Sequence, residues 1–85
     1  MKLTELNPKY GASMEGKRTH IILDCPVCRE HRIAVPVWTE YDTIKNWEHS
    51  GTDFETTTLA PSILHNNGLG CVSHFFVRNG EVVMA

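Results

Sequence analysis

The chain predicts a mainly β domain built from short antiparallel hairpins, on three observations. Apolar residues come in short blocks or alternate with polar ones, as in Ile33, Val35 and Val37. Alternation of this kind gives a strand one buried face. No long stretch repeats with the helical period. Arg78-Asn79-Gly80 separates two β-rich runs, and Asn-Gly in that setting signals a tight hairpin because both residues tolerate positive φ.

In chain order, residues 1–18 carry Pro8, Gly11 and Gly16 with little periodicity. They are expected to form a loosely packed N-terminal arm, with Leu3 and Leu6 docking locally, ahead of a β domain over 19–85. Thr19–Asp24 is a first strand, with Ile21, Ile22 and Leu23 as a continuous apolar run. His31–Val37 is a second, in which Pro36 marks an edge or a bulge because it cannot donate to a ladder. Thr39–Thr43 is expected to turn, Ile44–Ser50 to form a short strand and Gly51–Asp53 to turn again. The threonine-rich Phe54–Leu59 suits an exposed strand. Ala60–Leu64, with Pro61, is expected to break that strand, and His65–Gly70 to be a loop. Cys71–Val77 and Glu81–Met84 form the closing hairpin.

The chemistry is concentrated in two short pairs, Cys25-Pro-Val-Cys28 and Cys71-Val-Ser-His74, a C-x2-C-x42-C-x2-H pattern that uses every cysteine. Three thiolates and an imidazole are a donor set that a closed, tetrahedral structural Zn²⁺ site takes. A redox Cys-x-x-Cys usually precedes a helix in a βαβ unit, whereas here a strand is expected to follow. The expected ligands are therefore Cys25, Cys28, Cys71 and His74, with one zinc joining the hairpins in a zinc-ribbon-like domain. His74 is favoured on the symmetry of the two pairs. His31 is the alternative fourth ligand, and Asp24 also adjoins the first pair.

Size supports a staple. A domain of 85 residues has a marginal core, and small scaffolds commonly add a metal or a cross-link. Three cysteines cannot all pair within one chain. No charged-then-apolar leader is visible at the start, and no run approaches the ~20 apolar residues of a membrane helix. Cysteines reserved for metal in a reducing cytoplasm are the consistent expectation.

Net charge is −2, from 8 Lys+Arg against 10 Asp+Glu. That is not the balance of a dedicated nucleic-acid binder. Lys17, Arg18, Arg29 and Arg32 lie near the first pair, and read more simply as solvated charges than as a phosphate-binding patch.

The chain resembles a family of short phage and prophage proteins with zinc-ribbon-like character. The resemblance runs over residues 20–84. It is carried by Cys25-Pro-Val-Cys28, His31, Trp47, Thr58-Leu59-Ala60-Pro61-Ser62-Ile63-Leu64, Cys71, His74-Phe75-Phe76 and Asn79-Gly80. It implies a bound zinc and a phage or bacterial cytosolic setting, and it implies no reaction.

A non-enzymatic zinc-binding module is the functional expectation. Four protein ligands close a zinc site, whereas a catalytic zinc keeps one position for water. Were His74 not a ligand, three cysteines and a water would remain, with Glu30 as a general base for a zinc-dependent hydrolase. Ser62 with His65 suggests a nucleophile and a base, but Ser62 lacks nucleophile-elbow glycines and reads as a turn residue. A protein partner is expected, with Trp38, Tyr41, Trp47 and Phe54 as either its contacts or the core. A phage-encoded modulator of a host regulatory or defence protein fits that reading. The alternative partner is a nucleic acid, bound through the knuckles and Arg29 and Arg32.

Overall fold

Seven strands form two antiparallel sheets in the computed structural model, which describes Met1–Ala85. The first sheet has the order β1-β2-β3: β1 Lys9–Ala12, β2 Arg18–Asp24 and β3 Arg32–Pro36. The second has the order β4-β5-β6-β7: β4 Glu48–Ser50, β5 Thr58–Asn66, β6 Val72–Arg78 and β7 Glu81–Met84. The mainly β class is as expected, and no helix is long and apolar enough to cross a membrane.

The core lies between the sheets and follows the period-two pattern. Ile21 and Leu23 of β2 and Ile33 and Val35 of β3 point inward from the first sheet. Leu59 and Ile63 of β5, Phe75 and Val77 of β6 and Val82 of β7 point inward from the second. Residues 1–18, expected to be a loose arm, complete this core. A 3-10 turn at Leu3–Leu6 buries Leu3 and Leu6 completely, and β1 adds an edge strand to β2. Met1 exchanges hydrogen bonds with Val82, and Leu3 N–H donates to the Gly80 carbonyl, tying the N-terminus to β7 and the turn before it. Apolar side chains with no periodic neighbours thus still find the core, because a small domain has few places to put them.

The expected aromatic cluster divides. Phe54 stacks on Tyr10 with centroids 4.4 Å apart, Trp38 lies against Tyr10 at 5.9 Å, and Trp47 packs partly buried against the core. Tyr41 is exposed. The cationic residues are largely engaged: Arg32 pairs with Asp24 at 2.6 Å, and Arg18 covers the Tyr10 ring.

The turn after β4 and the strand β5 depart from expectation. Phe54–Thr56 is a turn, because Asp53 Oδ1 accepts hydrogen bonds from the backbone N–H groups of Glu55 and Thr56 and from the Thr56 hydroxyl. Aspartate competes for local N–H groups in this way and stops a strand. β5 therefore starts at Thr58 and runs to Asn66, through the stretch expected to break. Pro61 is accommodated by a bulge: Leu59 pairs with Val77 and Ile63 with Phe75, so β5 spends two more residues than β6 over that span. The closing hairpin is as expected, with Asn79 and Gly80 at φ 47° and 77°. A Cβ at Gly80 would also strike the Glu55 carbonyl, so this turn needs glycine twice over.

Candidate active site and metal centre

Two clusters of reactive side chains form, on opposite sides of β6 (Val72–Arg78). The first gathers Cys25, Cys28, His31 and Cys71, whose donor atoms all lie within 4.8 Å of one another. Cys25 directly follows β2, and the turn that comes next brings Cys28 and His31 back over it. Cys25 N–H donates to the His31 carbonyl and Arg29 N–H to the Cys25 carbonyl, and Arg29 takes the left-handed conformation at φ 62°. Cys71 arrives from the second sheet, so the cluster joins the two sheets.

The donor set fits a tetrahedral ion. Cys25 Sγ and Cys71 Sγ are 3.7 Å apart, against the ~3.8 Å expected for two thiolates bound ~2.3 Å from one zinc. Cys28 Sγ lies 3.2 Å from His31 Nδ1. The cysteines are free thiols. His31 stacks on His65 at 5.2 Å, which orients its ring. Burial pushes the Cys25 thiol up. The backbone N–H groups of Cys28 and Val27 and the hydroxyl of Ser73 outweigh that and bring it down to about 7. Ser73 Oγ is buried and makes no hydrogen bond of its own in the fold, so its proton is available to a thiolate at Cys25. Cys71 is pushed up to about 12, first by desolvation and then by hydrogen bonding and repulsion from Cys28 and Cys25. Three crowded sulfurs resist becoming three thiolates, and a divalent cation removes that resistance.

His74 is not part of this cluster. Cys71 leads directly into β6, where side chains alternate faces. Ser73 and Phe75 are buried while His74 is exposed, so three positions along an extended strand carry His74 away by ~10 Å and onto the opposite face. Cys-x-x-His makes a metal knuckle only when the intervening residues turn. His31, the alternative fourth donor, holds the place expected for His74.

The second cluster is where His74 is found. Its Nε2 lies 2.9 Å from the Ser62 hydroxyl, the spacing of a serine nucleophile and its base. The β5–β6 register places His74 opposite Leu64. The bulge at Pro61 carries Ser62 beside it, on the face turned away from the core. Ser62 is half-buried. His74 also lies along the Phe76 ring, centroids 6.2 Å apart. Its side chain forms no other hydrogen bond, so the arrangement is a dyad without a carboxylate. His65, weighed as a partner for Ser62, instead stacks on His31 in the metal cluster. Exposed Leu64 and Val83 lie nearby on the same face.

Sequence reasoning missed the Ser62–His74 pair because it placed Ala60–Leu64 outside any strand. With β5 and β6 paired, Pro61-Ser62-Ile63 and His74-Phe75 become cross-strand neighbours.

The model of one protein family, described as BubE, bacterial ubiquitination-like system serine protease, matches residues 3–85. No curated protein and no solved structure matches the chain. The chain belongs to the BubE family, a bacterial family whose description speaks of neither phage nor zinc ribbon. This membership overturns the expectation of a non-enzymatic module, since the family is described as an enzyme. That expectation set aside both an open zinc site with Glu30 as base and a Ser62–His65 pair, the latter because Ser62 stands in a stretch that reads as a turn.

Proposed function

We propose that the protein is a serine hydrolase that cleaves an amide bond of a polypeptide, with Ser62 as nucleophile and His74 as its base. The 2.9 Å contact between Ser62 Oγ and His74 Nε2 carries this reading, and the family description supports it. The polypeptide partner is a component or a conjugate of a ubiquitination-like system.

The chemistry follows from the pair. Ser62 Oγ attacks the scissile carbonyl carbon, and its proton passes to His74 Nε2. The C–N bond then breaks as His74 returns that proton to the leaving amine. The acyl group remains on Ser62 Oγ as an ester. Water attacks the ester carbonyl, His74 takes the water's proton, and the acid leaves as Ser62 Oγ regains a proton. For the first transfer His74 must hold its own proton on Nδ1, leaving the Nε2 lone pair towards Oγ. Phe76 lines one side of the ring, restricting its rotation. Exposed Leu64 and Val83 offer apolar contact to substrate residues flanking the cleaved bond.

We also assign the four-donor cluster to one structural zinc ion, held by Cys25, Cys28, Cys71 and His31. Bound there, zinc would cross-link the end of β2 to the start of β6, and so hold β6 and its His74 in place. All four positions are filled by protein donors, which leaves this ion a structural part.

Reaction with an alkyl fluorophosphonate tests the dyad without knowledge of the natural substrate. Ser62 Oγ displaces fluoride from phosphorus, and His74 accepts the hydroxyl proton. Mass spectrometry should place a single alkylphosphonyl group on Ser62. Ser62→Ala should remain unlabelled. Equal labelling of Ser62→Ala, or none of the native protein, overturns the assignment.

A further inference from the structure

We propose that Trp47 is the positioning residue of the serine, acting through its indole N–H on the backbone that carries Ser62. This inference rests on the reading of Ser62 and His74 as a catalytic dyad. Trp47 Nε1 donates to the Pro61 carbonyl at 3.0 Å and lies 3.4 Å from the Ser62 carbonyl. In an extended strand successive carbonyls point to opposite sides. Two that converge on one donor mark a backbone folded away from the ladder. This is the same span where β5 holds two residues more than β6. A proline within it supplies no N–H to fix the bulge from its own side. The indole supplies a donor from outside.

Trp47 is itself anchored. Its backbone N–H donates to the Pro36 carbonyl at 2.9 Å, at the end of β3 in the other sheet. Its ring packs partly buried against the core, and β4 follows immediately, pairing Glu48 with Ala60 at the start of the bulged span. The indole therefore runs from the first sheet to the bulge of the second. It makes no hydrogen bond to the hydroxyl or the imidazole. What it controls is the placement of the Ser62 backbone, and hence whether Oγ stays within reach of His74 Nε2. A shift of ~1 Å in a reacting group can lower a rate ~100-fold, so one hydrogen bond at this point has leverage on chemistry that it lacks on stability.

The test is the kinetics of Ser62 labelling by an alkyl fluorophosphonate in Trp47→Phe, which keeps an aromatic ring and removes the donor. The maximal labelling rate at saturating probe should fall about tenfold. The probe concentration giving half that rate should stay within about twofold, and the thermal midpoint should barely move. A benzothienylalanine at position 47, shaped like indole with sulfur in place of N–H, should behave the same way, and it decides the matter if Trp47→Phe does not fold. A native maximal rate in a folded variant overturns the role of Trp47 while leaving the dyad intact. A rate that falls only in proportion to lost folded protein overturns it too. Absence of labelling at Ser62 in the native protein overturns the dyad, and this inference with it.

Discussion

Cys25-Pro-Val-Cys28 and Cys71-Val-Ser-His74 share one spacing, yet the chain folds them in opposite ways. In the first, a turn closed by Arg29 in the left-handed region brings two sulfurs, and then His31, around a single point. In the second, the same number of residues is the start of a strand, and its two ends face opposite sides of a sheet. One pair becomes part of a four-donor cluster that could hold one metal ion. The other is divided between that cluster and a serine-histidine dyad, with Cys71 facing inward and His74 outward. Spacing is a necessary condition for shared ligation. The backbone conformation between the ligands decides it.

The largest effect in this comparison should come from Cys25→Ser. Cys25 is completely buried at the junction of both sheets. A structural zinc supplies ~10–16 kcal/mol of apparent binding free energy in small peptides, more than the ~5–15 kcal/mol that holds a typical domain folded. Elemental analysis should find one zinc per native chain, and Cys25→Ser should lose both the zinc and the cooperative thermal transition. A zinc-free native protein that melts cooperatively would remove the cross-link from the account.

Next in size, His31→Ala and His74→Ala should separate the two functions. His74→Ala should keep its zinc and its thermal midpoint while fluorophosphonate labelling of Ser62 falls by several orders of magnitude, towards the ~10⁶-fold loss seen when a serine protease loses its base. His31→Ala should show weakened zinc retention and a lower thermal midpoint. If zinc follows His74 instead, the alternation argument for β6 is wrong.

This separation also shows how much was legible in the residues. The strands with clean alternation, Arg32–Pro36 and Val72–Arg78, and the Asn79-Gly80 turn could be read because period-two burial and positive φ are local properties. The three cysteines could be read because no competing use exists for them in so small a chain. The last pair misleads as a ligand pair because the Cys-x-x-His spacing suggests a knuckle while the same residues carry the alternation of a strand. The two readings conflict: a residue in a strand cannot share a face with one three positions away. The dyad could not be read locally at all. It depends on the β5–β6 register and on the bulge that lets Pro61 remain in a strand. Leu3 and Leu6 could be expected to dock locally, but not to be completely buried in the main core, since two leucines in a short turn carry no periodic signal.

The smallest expected effect concerns the one histidine outside both clusters that the fold perturbs. His49 sits in β4 in a T-shaped contact with Trp38, ring centroids 5.0 Å apart, and its Nε2 is buried without a partner. Burial first, and then the charge of Arg18, hold its pKa below the ordinary 6.5. On acidification the unfolded chain therefore binds this proton before the folded one does, so the stability that neutral His49 supports is present above pH ~6.5 and is lost as pH falls through its folded pKa. His49→Gln removes that titration. The thermal midpoint of the native protein should drop more between pH 7 and pH 5 than that of His49→Gln, by a few degrees at most. The difference should disappear above pH 7, where neither state protonates His49. Because His49 belongs to β4, the strand that pairs beside Ser62's bulge, the same titration should leave zinc content unchanged. Zinc loss that tracks His49 would mean that the two halves of the molecule are coupled more tightly than their separate clusters suggest.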